Sequence, residues 1–409
     1  MRKRVFIAIH YMEIGGGEMS LLGLLKAIDY TQYEVDLFIY SHKGQLMQYI
    51  PKEVNVLPEI ARYADIERPI IDVIKHGSWK IAYARLKTKR QYYSFLKKNR
   101  LESSDEVYRI LAENITPYLP SLESFGEYDL AINYLGLPRV VLQKVMAKKK
   151  VCWIHTDYTA VRLNADKDVN TWGAFDHIVS ISPDVTRSFL ETFPSLEYKI
   201  VEIENIISSS FVRQRAGLIP STEIHKEMPR ETNVVNLLSV GRFCEAKNYD
   251  NVPDICRRVN SILSTVDSHL LARWYIIGWG GDEELIRHRI KECNMQECVI
   301  LLGKKDNPYP FIKACDIYVQ PSRYEGKSIT VREAQLLLRP VVIANYKTAK
   351  SQVIDGVDGI IVPLDNEGFA KGLSEVIIRK DKRDRIVAGM KQRDYEKADE
   401  VKRINDLFS

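Results

Sequence analysis

One pattern limits what this chain can fold into: an apolar run, a glycine-bearing turn, then a helix start, repeated along the sequence. Val5-Phe6-Ile7-Ala8-Ile9 leads to Gly15-Gly16-Gly17-Glu18 and the apolar helix that begins at Met19. Val234-Val235-Asn236-Leu237-Leu238-Ser239-Val240 leads to Gly241-Arg242, and Trp274-Tyr275-Ile276-Ile277 to Gly278-Trp279-Gly280-Gly281. Ile317-Tyr318-Val319 leads to a turn with Glu325-Gly326-Lys327-Ser328, then to a helix containing Ile329 and Glu333. Short apolar strands alternating with helices predict parallel, doubly wound sheets. In such sheets ligands bind at the carboxyl ends of strands, where these turns lie. Glycine allows close backbone approach, and free N–H groups at a helix start favour anions.

At 409 residues the chain should hold two or three domains. Further apolar runs at 35–40, 54–57, 128–133, 150–155, 177–182 and 201–205 fill a first half. We place a first Rossmann-like domain at 1–207, interrupted by a helical insertion at about 62–125. Residues 208–233 are polar, carry Pro220 and Pro229, and read as a linker. A second sheet domain follows at 234–385, and 386–409 reads as a C-terminal helix.

Composition excludes several classes. The 45% apolar and 28% charged residues and the net charge of +5 are those of an ordinary globular chain, with no case for nucleic acid. The six cysteines form no Cys-x-x-Cys pair, so no zinc site is expected, and reduced thiols suit the cytoplasm. The apolar run after Met1-Arg2-Lys3-Arg4 is too short for a signal peptide, and no run spans a bilayer. The insertion holds nine Lys or Arg and no acid between Lys75 and Arg100, with Trp79, Tyr83, Leu86, Tyr93 and Leu96 at roughly helical spacing. Two readings stand: a helix lying on an anionic membrane surface, or one whose apolar stripe packs on its own domain.

The chemistry-bearing residues cluster at strand ends. Arg242 and Lys247 put two cations in one loop, suited to phosphate oxygens. Glu325 and Glu333 supply carboxylates beside the anion-binding turn at Gly326, Lys327, Ser328 and Ile329. His155 ends a strand of the first half.

The ordered set Gly241-Arg242, Lys247-Asn248, Gly278-x-Gly280, Gly303, Pro321-Ser322, Glu325 and Glu333 with seven residues between, and Gly356-x-x-Gly359 resembles the retaining glycosyltransferases of family 4. In the first half Gly15, Gly16, Glu18 and His155 match. The resemblance implies a GT-B fold, two Rossmann-like domains facing a central cleft, with the C-terminal helix packing back on the first. It implies an enzyme of class EC 2.4 that moves a hexosyl group from a nucleotide-diphosphate sugar, a UDP-sugar foremost, to a glycan or lipid-linked acceptor. Surface polysaccharide such as capsule is the expected product, and the location cytoplasmic, peripheral on the inner membrane face if residues 75–100 bind lipid.

By the same resemblance, Arg242 and Lys247 neutralise the departing diphosphate, so neither metal nor cofactor is required. Glu325 holds sugar hydroxyls, Glu333 the ribose, and His155 lies beside the donor sugar. Gly15, Gly16, Asn205, Gly241, Gly278, Gly326, Lys327, Ser328 and Ile329 complete the donor set. The family retains configuration by a front-face route in which the leaving phosphate helps to take the acceptor's proton, so no general base is assigned. Two departures, Ile206 after Asn205 and Lys327 after Gly326, bear on which sugar is carried. A nucleotide-sugar epimerase on the same fold and a non-catalytic donor-binding scaffold are the rival readings.

Overall fold

Thirteen short strands in the described residues divide between two parallel sheets, each in its own unit of the chain. The structure, a computed structural model, describes residues 2–161 and 163–409. The first unit comprises Met1–Ile206 and Ala398–Ser409, the second Ile207–Lys397.

In the first unit the strands are β1 (Lys3–Ile9), β2 (Tyr33–Ile39), β3 (Asn55–Val56), β4 (Tyr128–Leu135), β5 (Ala147–Ile154), β6 (His177–Ser180) and β7 (Ile200–Glu202). Their order is β3-β2-β1-β4-β5-β6-β7. β1 pairs with β2 through Val5 opposite Val35, and with β4 through Val5 opposite Leu130. Phe6, Ile7, Ala8 and Ile9 are wholly buried, as a parallel strand covered on both faces requires. The order reverses between β1 and β4. That is the switch point where an open sheet leaves a crevice, and the β1–β4 register shifts there at Ala8/Ile9.

The second sheet repeats the plan with β8 (Val234–Val240), β9 (Leu271–Ile277), β10 (Val299–Gly303), β11 (Ile317–Gln320), β12 (Val341–Ala344) and β13 (Ile360–Val362). The order β10-β9-β8-β11-β12-β13 puts its switch point between β8 and β11. The loops at Gly241 and at residues 321–333 therefore start from neighbouring strand ends.

Two stretches differ from the sequence reading. Residues 208–233 are not an extended linker: the helices Ser209–Ala216 and Ser221–Glu227 belong to the second unit, with Phe211, Val212, Ile224 and Met228 buried. Their apolar residues are too few to show a period, yet each is an anchor. Residues 386–409 are not one helix. The helix Lys380–Met390 ends, and Ala398–Phe408 forms 3-10 turns on the first unit, where Phe408 stacks on Tyr33 with centroids 5.9 Å apart. The insertion is helical, chiefly Ile70–Lys75, Trp79–Asn99 and Glu106–Ile115. Its Trp79, Tyr83, Leu86 and Tyr93 face solvent, whereas Leu96 packs inward.

Candidate active site

In the second unit, the loops that follow β8 and β9 are laced together by their backbones. Gly241 N donates to Ile277 O (3.0 Å), Phe243 N to Trp279 O (2.8 Å) and Gly278 N to Gly303 O (3.1 Å). The approach is so close that a Cβ on Gly278 would lie 1.9 Å from Gly241 O. Because the opposing atom is backbone, it cannot swing aside. Gly278→Ala should therefore lower the melting temperature by several degrees, an overpacking cost of about 1–3 kcal/mol or more. Gly281→Ala, whose Cβ meets open space, should not. Equal melting curves for the two variants would refute this packing.

The β8 loop is tied to the β11 loop as well. Asn248 adopts a left-handed conformation (φ 60°) and its buried Nδ2 donates to Pro321 O at 3.0 Å. Arg323 N donates to Ala246 O at 2.8 Å, and the Arg323 guanidinium forks onto Asp250 at 3.0 and 2.7 Å. These ties bring Lys247 Nζ to 2.6 Å from Glu325 Oε1. The same oxygen accepts from Ser322 Oγ (2.6 Å) and Gln320 Nε2 (2.9 Å), and Gln320 is held in turn by Tyr318 OH (2.9 Å). Three donors fix one oxygen of Glu325. Among the described residues no donor reaches its other oxygen, which leaves lone pairs for a ligand hydroxyl.

Gly326 is buried and Lys327 half-buried in the turn that follows. The helix Ile329–Leu336 starts at Ser328 without a side-chain cap. Its first N–H groups thus keep their capacity for an anion. Arg242 is exposed beside Gly241. Glu333 lies inside, 2% exposed, and accepts from Tyr309 OH at 2.7 Å. Burial pushes its carboxyl up to about 7, against the opposing pull of the Tyr309 bond.

In the first unit a carboxylate of the chain itself stands beside the glycine turn. A Cβ on Gly15 would lie 2.3 Å from Glu18 Oε2, so the buried Glu18 carboxylate stands over the start of the helix Gly16–Ala27, with His10 Nε2 3.6 Å from its Oε1. A carboxylate there suits the helix dipole and stands beside Gly15 and Gly16, the positions assigned to the donor from sequence. His155 sits at the end of β5, and Tyr134 O lies 3.1 Å from its Nε2. Burial lowers its imidazole to about 4. It is then neutral near pH 7 with the proton on Nε2, the tautomer assigned from that partner. Asn205 is buried, and its Oδ1 accepts from Ser20 Oγ (2.6 Å), itself 2.5 Å from Tyr134 OH. Asn205, assigned to the donor from sequence, thus ties its amide oxygen to the glycine-loop helix.

Residues 220–393 match the sequence profile described as Glycosyl transferases group 1. The match lies within the second unit, Ile207–Lys397. Two curated relatives align with parts of the chain. One is an N-acetylgalactosamine-N,N'-diacetylbacillosaminyl-diphospho-undecaprenol 4-alpha-N-acetylgalactosaminyltransferase of Campylobacter jejuni, 30% identical over 32% of this chain and 34% of its own. The other is a D-inositol 3-phosphate glycosyltransferase of Thermomonospora curvata, 25% identical over 62% of this chain and 61% of its own. The chain thus spans about a third to three fifths of their lengths. Among solved structures, Anabaena HepE in complex with UDP-glucose is similar with a TM-score of 0.64 and 14% identity, over 99% of both chains. The fold is GT-B.

Within the second unit, Lys247, Glu325 and Glu333 were singled out from sequence, but not what holds them. Tyr309, the partner of Glu333, packs edge-on against Phe211 with centroids 6.3 Å apart, and Phe211 comes from the stretch read as linker. Gln320 and Ser322 lie five and three residues from Glu325 in plain view. Only the fold shows that both aim at it, because a strand end and a turn have no fixed side-chain period. Among the described residues no three His, Cys, Asp or Glu side chains group as a metal site.

Proposed function

We propose that this chain is a retaining glycosyltransferase. It takes a sugar from a nucleotide-diphosphate sugar, a UDP-sugar foremost, and passes it to a glycan or lipid-linked acceptor in surface polysaccharide synthesis at the cytoplasmic membrane face. The observation that carries this reading is Lys247 held 2.6 Å from Glu325 at the β8/β11 switch point. A cation and a carboxylate at one strand end match a ligand whose phosphate and hydroxyls lie close together.

Lys247 and Arg242 meet the negative charge that grows on the diphosphate as the glycosidic bond breaks. The uncapped N–H groups at Ser328 and Ile329 add donors to the same anion. Glu325 accepts from the hydroxyls of the sugar, Glu333 from those of the ribose. In the first unit Glu18 and neutral His155 offer acceptors to hydroxyls, and His155 has no proton to give as an acid near pH 7. The names of two relatives support the substrate classes: the Campylobacter enzyme is named for a diphospho-undecaprenol substrate, and the Anabaena structure for UDP-glucose.

A thermal-shift titration against UDP-, GDP- and ADP-sugars tests the donor. A ligand that binds only the folded state at 100 times its Kd stabilises it by roughly 2.7 kcal/mol. A shift with the UDP-sugars, followed by acceptor-dependent release of UDP, is the expected result. No shift with any of the three classes would sink the reading. An epimerised donor formed without acceptor would replace it with the epimerase.

A further inference from the structure

We infer that the helix Trp79–Asn99 is a docking surface for an anionic lipid bilayer. One side of this helix is already used. Ile81, Ala84, Thr88 and Leu96 are buried against the first unit, where the helix packs on Glu106–Ile115. Asn114 Nδ2 donates to Thr88 Oγ1 (3.1 Å) and to Gln91 Oε1 (2.7 Å), and the Arg85 guanidinium caps Asp65 O and Arg68 O. That side is anchored and its rotation fixed.

The opposite side carries apolar bulk that stands more than half exposed. Trp79, Tyr83, Leu86 and Tyr93 are 64, 60, 58 and 57% exposed. At 100° per residue they fall within about 40° of one line, together with Arg90 and Lys97. Lys80, Lys87 and Lys98 flank this stripe on one side at about 80–100°, and Lys89 and Arg100 on the other at about 60–80°. Among the described residues none of these cations pairs with a carboxylate, and the segment from Lys75 to Arg100 contains no acid. Solvated helix faces ordinarily interleave both signs and carry few large aromatics.

An aromatic stripe bordered by lysines on both sides fits the headgroup boundary of a bilayer. Trp and Tyr rings sit at that depth, Lys stems extend outward to phosphates, and an anionic surface supplies the missing counter-charge. Charge complementarity selects this occupant. A second copy of the chain would set this uniformly cationic face against itself. The surface belongs to the first unit alone and does not depend on the glycosyltransferase reading, so its test uses no sugar nucleotide.

The full chain is sedimented with vesicles of phosphatidylcholine containing about one third phosphatidylglycerol, and with pure phosphatidylcholine. Binding should be at least about tenfold tighter to the anionic vesicles and should weaken steeply between about 0.1 and 0.5 M salt. The triple variant Trp79→Ser, Tyr83→Ser, Leu86→Ser changes only exposed side chains, so it should melt as wild type and lose about tenfold or more of the vesicle affinity. Lys80→Gln, Lys87→Gln, Lys89→Gln should abolish the preference for anionic lipid. Three results overturn the proposal: no binding to anionic vesicles at low salt, unchanged binding by both triple variants, or a dimer in sedimentation equilibrium that the apolar triple variant dissociates.

Discussion

Lys247→Ala should lower turnover by about two orders of magnitude or more while leaving the melting temperature within a few degrees of wild type. The two readouts separate because of where the pair lies. Lys247 and Glu325 side chains are 20% and 10% exposed, so the bridge is neither sunk in the core nor loose in water. Without the ammonium, the Glu325 oxygen loses its counter-charge but still accepts from Ser322 and Gln320, which limits the cost to folding. Folding therefore loses little. The transition state loses a cation aimed at a leaving diphosphate, where preorganised charge contributes several kcal/mol.

Glu325→Ala should match the loss in turnover, by removing the acceptor for sugar hydroxyls and freeing Lys247 from the position that Oε1 imposes. If the two residues act as one unit, the double variant should be hardly worse than either single one. Near-wild-type kcat in Lys247→Ala, measured at saturating donor, would refute the role.

The architecture was legible because buried parallel strands announce themselves. The runs at Val5, Val234 and Trp274 are mostly apolar without alternation, and each leads to a glycine-bearing turn. The cation-and-two-glutamate constellation was legible because its spacing is fixed by one loop and by one turn-plus-helix. What escaped reading depends on contact across sequence distance. Nothing local in Phe211 or Tyr309 says that one braces the other beneath Glu333. Nothing in Glu18 says that it folds back over Gly15 instead of leaving the helix start open. The stripe at Trp79 was visible, but its direction was not. Ile81, Ala84 and Thr88 form a second stripe opposite the first, and only packing decides which one turns inward.

Glu333 should leave opposite signatures in stability and in donor binding. Its carboxyl titrates near 7 in the folded chain against 4.5 as the ordinary value. Between those values the folded state holds more protons than the unfolded one, so stability falls as pH rises from 4.5 through 7 and then levels off. A displacement of that size corresponds to something on the order of 3 kcal/mol at and above neutrality. Glu333→Gln keeps the acceptor for Tyr309 OH and the shape, but never has to carry charge. Its melting temperature should exceed that of wild type clearly at pH 8 and hardly at pH 5.

Donor affinity should run the other way. Ribose hydroxyls that donate to Glu333 favour its ionised form, so binding releases a proton. Wild-type affinity should then weaken by up to about tenfold per pH unit below 7. Glu333→Gln should bind the donor more weakly at pH 8 and lose this dependence between pH 5.5 and 8. Calorimetric titration of UDP-sugar across that range measures it. If wild-type affinity proves flat with pH while the stability difference persists, Glu333 is a buried structural carboxyl and the ribose is held elsewhere.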